Sequence, residues 1–201
     1  MAGFALSRRF LPLMMGLLVI AVSPACAQEG PTAETMIARM IRVDHAGEYG
    51  AARIYAGQLA VLRRSDTAPV LREMQAQEQQ HLERFSDLIA RRRVRPTALL
   101  PLWHIAGFAL GAVTAALGTR AAMACTVAVE EAIDTHYSSQ IAALDDSESE
   151  LRNTLGQFRE EELQHRDIAL ENGAEQTPGY RLLSAAIKAG CRVAIRISER
   201  M

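Results

Sequence analysis

Glutamate and histidine stand in this sequence where the helical period reserves places for apolar side chains. Four segments repeat their hydrophobic residues every three to four positions, the spacing of an amphipathic helix. The first covers residues 35–64, with Ile37, Ile41, Glu48, Tyr55, Leu59 and Leu62 on one stripe. The second starts near Pro69, with Asp66 as the expected cap, and carries Leu71, Met74, Glu78, His81, Phe85 and Leu88. The third covers 120–144 with Met123, Val127, Glu130, Tyr137, Ile141 and Leu144, and Asp145-Asp146-Ser147 breaks it. The fourth aligns Leu151, Leu155, Phe158, Glu162, His165 and Ala169 and stops near Asn172-Gly173. No strand alternation competes, so the expected class is all-α, a four-helix bundle.

The interruptions decide the chemistry. A lone buried carboxylate is costly and either protonates or finds a partner. Glu48, Glu78, Glu130 and Glu162 would converge in one core, and no Lys or Arg shares their stripes. Two divalent cations would balance them. The pattern also repeats: Glu48 precedes Glu78-x-x-His81, and Glu130 precedes Glu162-x-x-His165. Each Glu-x-x-His places both side chains on one helix face. A glutamate from each of two helices plus Glu-x-x-His from the other two is the ligand set of ferritin-like di-iron and di-manganese bundles. The six are therefore candidate metal ligands and catalytic residues. Glu131 and Glu161 fall about 100° off the stripe and are expected to face solvent or the outer side of the site. Metal-bound imidazoles need a partner on their second nitrogen, and Asp44, His136 and Tyr137 are candidates for such surrounding or substrate-contacting roles.

Composition excludes other classes. The 22 Lys+Arg against 23 Asp+Glu leave a formal charge of −1 and no basic block, so nucleic acid is not an expected partner. Three cysteines without close pairing make neither a disulfide framework nor a zinc site. The 49% hydrophobic share is concentrated in particular segments. Residues 1–28 contain no acid; Arg8 and Arg9 precede an apolar run from Phe10 to Val22, and Ala25-Cys26-Ala27 follows. That is the anatomy of a secretory signal, with a short anchor, a mitochondrial presequence or an over-extended start as alternatives. The domain proper is expected over 29–201. Within it, residues 96–119 hold His104 as their one ionisable side chain, and Gly107-x-x-x-Gly111 resembles a close-packing helix motif. Prolines argue against a full membrane span, so this crossover is expected to dip into one leaflet; a span, or a buried crossover helix, are the alternatives. Residues 180–200 read as a basic amphipathic helix suited to a membrane interface.

Extended motifs add a resemblance. IRVDHAGEYGA at 41–51, IYAGQ at 54–58, Glu78-Gln79-Gln80-His81, RVRPT at 93–97, PLW and GFALG within 101–111, AMACTVAVEEAI at 122–133, EEELQH at 160–165 and GCRVAI…SER within 190–200 follow in order. In these the chain resembles the demethoxyubiquinone hydroxylase family of ferritin-like di-iron carboxylate proteins, over about residues 38–201. The resemblance implies two iron ions held by Glu48, Glu78, His81, Glu130, Glu162 and His165. It implies O2-dependent hydroxylation of a polyprenyl benzoquinol ring in ubiquinone biosynthesis, with NADH as electron source. Further expected partners are a membrane lipid surface and a lipid-presenting protein of the same pathway. Such an enzyme draws on cytosolic or matrix reductant, so the expected location is the cytoplasmic face of a bacterial inner membrane, peripherally bound. The matrix face of a mitochondrial inner membrane is the alternative. The rival readings are another ferritin-like oxidase, of ferroxidase or manganese catalase type, and a non-enzymatic membrane-surface interaction protein.

Overall fold

A computed structural model describes Met1 and residues 32–201; the leader read at 1–28 otherwise lies outside the described residues. Six helices follow in order: α1 (Ala33–Leu62), α2 (Ala68–Arg92), α3 (Leu100–Ala116), α4 (Thr119–Ala143), α5 (Ser149–Glu171) and α6 (Tyr180–Ser198). Among the described residues there is no strand. The boundaries follow local chemistry. Thr32 caps α1, its side chain accepting from the Thr35 amide. α2 begins one residue before Pro69, and its cap is Thr67 rather than Asp66. The Thr67 side chain bonds to no helix amide; its hydroxyl instead pairs with Ser65 in the preceding turn. Asp145 stops the α4 connection by accepting from the Ser147 amide, and Gly173, at φ 83°, takes the left-handed turn after α5.

The architecture is two three-helix halves. α1 packs on α2 and α3, and α4 packs on α5 and α6. α1, α2, α4 and α5 form the ferritin-like four-helix bundle, with α3 and α6 laid against its outside. Its interior holds two separate apolar clusters. One gathers Ile41, Phe85, Tyr137, Leu151 and Phe158; the other gathers Tyr55, Leu71, Met74, Met123 and Val127. On every bundle helix the candidate ligands lie between the residues that feed the two clusters. The apolar layers thus enclose a polar middle.

The crossover is a helix with one buried face. Gly107 and Gly111 let α3 approach the α1 backbone: a Cβ on Gly111 would collide with the Ile54 carbonyl, and one on Gly107 would sit 2.8 Å from the Gly50 oxygen. Leu102, Ile105, Val113 and Leu117 on α3 stay exposed, as do Leu182, Val193 and Ile197 on α6. The start of α3 meets the end of α6 where Trp103 Nε1 donates to Ser198 Oγ at 3.1 Å. No helix among the described residues is long and apolar enough to cross a membrane.

Candidate metal centre

Glu48, Glu78, His81, Glu130, Glu162 and His165 are all buried, none more than 1% exposed. Their oxygen and nitrogen atoms form two groups, each with ligand atoms within 4.8 Å of one another. The first group is Glu48, Glu78, His81 and Glu162; the second is Glu78, Glu130, Glu162 and His165. Glu78 and Glu162 belong to both, the placement of bridging carboxylates. His81 Nδ1 lies 3.1 Å from Glu162 Oε1 and 3.5 Å from Glu48 Oε2. His165 Nδ1 lies 3.2 Å from both Glu78 Oε1 and Glu162 Oε2.

Several of these atoms have no hydrogen-bond partner: both oxygens of Glu78, one each of Glu48, Glu130 and Glu162, and His165 Nδ1. Buried acceptors are seldom left so, and donor atoms pointing at a shared space fit divalent cations. The electrostatics of the cluster agree. Burial, then repulsion from Glu162, pushes the Glu78 and Glu130 carboxyls well above the usual range, and burial raises Glu48. Glu162 is the exception: burial would raise it, but the adjacent His165 and His81 imidazoles outweigh that and bring it to about 2. Burial would depress His81, but Glu162 and Glu48 hold it up at about 12, and Glu162 with Glu130 raises His165 against its own burial. Protons thus supply the positive charge the interior lacks. Carboxylate and imidazole donors suit iron, manganese or zinc.

The surrounding shell is built across the two halves. Tyr55 Oη donates to Glu130 Oε1 at 2.9 Å, and Tyr137 Oη donates to Glu48. His81 Nε2 meets Glu161 Oε2 at 2.5 Å, and His165 Nε2 meets Gln77 Oε1 at 2.6 Å. Both imidazoles therefore aim Nδ1 inward and are held from behind. Asp44 and His136 lie together, with His136 Nε2 3.3 Å from Asp44 Oδ1, and Gln140 Nε2 donates to that oxygen at 2.8 Å. They do not touch the imidazoles. Glu131 points away and takes Lys188 at 2.5 Å.

A search of known families matches residues 35–198 to the family described as "Ubiquinone biosynthesis protein COQ7". The 3-demethoxyubiquinol 3-hydroxylase of Rhodospirillum rubrum is 59% identical over 172 residues, 85% of this chain and 81% of that protein. The human mitochondrial NADPH-dependent 3-demethoxyubiquinone 3-hydroxylase is 57% identical over 167 residues, covering 81% of this chain and 77% of its own length. The 5-demethoxyubiquinone hydroxylase of Saccharomyces cerevisiae is 39% identical over 196 residues, 89% of this chain and 84% of that one. The chain belongs to the COQ7 family.

Within this COQ7 chain, sequence reading left Gln77 and Tyr55 without a role. A signal existed for both. Gln77 precedes Glu78 as Glu161 precedes Glu162, and Tyr55 follows Glu48 by seven residues as Tyr137 follows Glu130. The internal repeat extends beyond the candidate ligands to the groups that hold them.

Proposed function

We propose that the protein is a di-iron monooxygenase that hydroxylates the ring of a demethoxy polyprenyl benzoquinol in ubiquinone biosynthesis. The observation that carries this reading is the pair of overlapping four-residue groups sharing Glu78 and Glu162, in a chain of the COQ7 family. Two iron ions held there would supply the activation of O2. The six side chains would hold the ions, with Glu78 and Glu162 common to both positions and Glu48 with His81 and Glu130 with His165 completing one each. Tyr55 and Tyr137 orient the two unshared glutamates through their hydroxyl protons. Asp44 Oδ1 lies 3.3 Å from Nε2 of His136, which is 16% exposed, so this pair can carry a proton from solvent toward the Glu48 end.

Electrons come from a reduced nicotinamide nucleotide. NADH is the expectation from resemblance, whereas the human relative's name specifies NADPH, and an assay supplied with each distinguishes them. The polyprenyl tail calls for an apolar approach. The exposed Leu102, Ile105, Val113 and Leu117 of α3, beside Leu182 and Val193 of α6, offer one. Exposed Arg181, Arg192, Arg196 and Arg200 add attraction to anionic headgroups. The protein therefore binds peripherally, at the inner face of a bacterial cell membrane or the matrix face of a mitochondrial one. A lipid-presenting partner would address the same face. Ferroxidase and manganese catalase readings leave that face without a purpose. Complementation tests the function: in cells lacking the quinone hydroxylase, the intact chain restores ubiquinone and Glu162→Ala does not. Equal restoration by both would overturn the assignment.

A further inference from the structure

The repeat that relates the two halves breaks at several places, and three of the breaks put their ionisable member at the same end of the candidate metal centre. Gln77 stands behind His165, and its counterpart Glu161 stands behind His81. Thr126, four residues before Glu130, faces Gln58 Nε2 at 3.4 Å; its counterpart Asp44, four before Glu48, faces Gln140 Nε2 at 2.8 Å. Ile54, six after Glu48, corresponds to His136, six after Glu130. The neutral members, Gln77 and Thr126, thus border the group of Glu130 and His165. The ionisable members, Glu161, Asp44 and His136, border the group of Glu48 and His81. The candidate ligands and the tyrosines that donate to them are matched: glutamate for glutamate, histidine for histidine, tyrosine for tyrosine.

We propose that the two metal positions are unequal, and that Glu161 is the positioning residue that makes the Glu48–His81 position bind a divalent cation more tightly than the Glu130–His165 position. The inference rests on the six side chains being metal ligands. A carboxylate accepting the Nε2 proton makes the imidazole a stronger donor at Nδ1 and adds negative charge near the ion. The Gln77 amide fixes the ring of His165 equally well, at 2.6 Å against 2.5 Å for Glu161, without that charge. The hydrogen-bond lengths are therefore nearly equal and the charges behind them are not. The Glu161 side chain is 26% exposed, so water reduces the effect without removing it. The tighter position fills first, and Glu78 and Glu162, which belong to both groups, would then be oriented for the second cation.

Anaerobic titration of the full chain with Co2+, followed by visible absorbance and calorimetry, tests this. The unaltered protein takes up two ions in steps separated by at least about tenfold in Kd, since a partner behind a metal-bound histidine is typically worth about 10- to 100-fold in affinity. Glu161→Gln weakens the tighter step by about that factor and leaves the weaker within about threefold, so the two steps merge. Gln77→Glu does the reverse and tightens the weaker step, a gain that a merely structural role would not produce. Two equal steps in the unaltered protein would overturn the proposal. So would a Glu161→Gln protein with its tighter step unmoved, or with both steps weakened alike, or a Gln77→Glu protein with no tightening. Uptake of no Co2+ by any of the three proteins would overturn the metal reading itself, and the inequality with it.

Discussion

Tyr55 reaches from the first half of the bundle to Glu130 in the second, placing its hydroxyl 2.9 Å from Oε1. Its counterpart Tyr137 returns the contact to Glu48. The two halves are thus tied at the polar layer by side chains whose own rings belong to the apolar clusters on either side.

Tyr55→Phe removes that hydroxyl while keeping the ring. Glu130 Oε1 then joins Oε2, which has no hydrogen-bond partner. An orphaned buried acceptor costs about 1–3 kcal/mol. Denaturant unfolding of the metal-free protein should register a loss of that size, smaller in the metal-loaded protein, where a cation engages the carboxylate.

Glu78→Gln should separate stability from metal binding. Glu78 is fully buried, has no partner on either oxygen, and is held well above the usual carboxyl range by burial and by Glu162. A neutral amide of the same shape escapes that cost, so the metal-free variant melts at or above the temperature of the parent. Metal analysis should find fewer than about one ion per chain, because a bridging ligand of both positions is gone. Loss of stability together with intact metal content would contradict the bridging role.

The pH dependence has a definite sign. Glu48, Glu78 and Glu130 are raised by burial, so the stability linked to them is present below about pH 4 and lost as pH rises through their folded values. His81, held at about 12 by Glu162 and Glu48 against its burial, acts in the same direction: its contribution is full below about pH 6.5 and declines above it. Glu162, brought to about 2, loses its contribution only as pH falls toward that value. The metal-free protein should therefore melt lower at about pH 8 than at about pH 5. Cations displace these protons, so the gain in Tm on metal loading should widen with pH. Scanning calorimetry of both forms across that range checks it.

At the α1–α3 contact the backbone itself is the neighbour. Gly111→Ala would drive a Cβ into the Ile54 carbonyl, which lies on a helix and cannot swing aside. Overpacking of this kind typically costs about 1–3 kcal/mol. Thermal unfolding should show the loss, whereas the same substitution at Gly156, where a Cβ would meet nothing within 4 Å, should be neutral or mildly stabilising.

The outer face of α3 should matter for lipid and not for folding. Ile105 is 68% exposed and Leu117 70% exposed. Each contributes about 1.5–3 kcal/mol when fully buried in an apolar medium. Ile105→Asp with Leu117→Asp should leave Tm nearly unchanged and reduce co-sedimentation with anionic phospholipid vesicles by at least about tenfold. Undiminished vesicle binding would remove α3 from the membrane-facing surface.

Local periodicity sufficed for a large part of this. The 3.6-residue period makes Glu78 and His81, or Glu162 and His165, share a face whatever surrounds them, and it makes an uncompensated carboxylate on an apolar stripe conspicuous. The four bundle helices, the six inward side chains and the need for positive charge among them follow from the chain alone. The partners that cross between helices do not. Whether Glu161 turns to His81 or to solvent, and whether Tyr55 bonds to Glu130 or to water, depends on the rotation and depth at which two helices meet, which no single helix specifies. Gly107-x-x-x-Gly111 announced a close approach without naming the backbone approached, and only packing placed Gly50 and Ile54 of α1 there. Sequence therefore determined which side chains turn inward, because that is a property of one helix; tertiary structure decided what each of them meets, because that is a property of two.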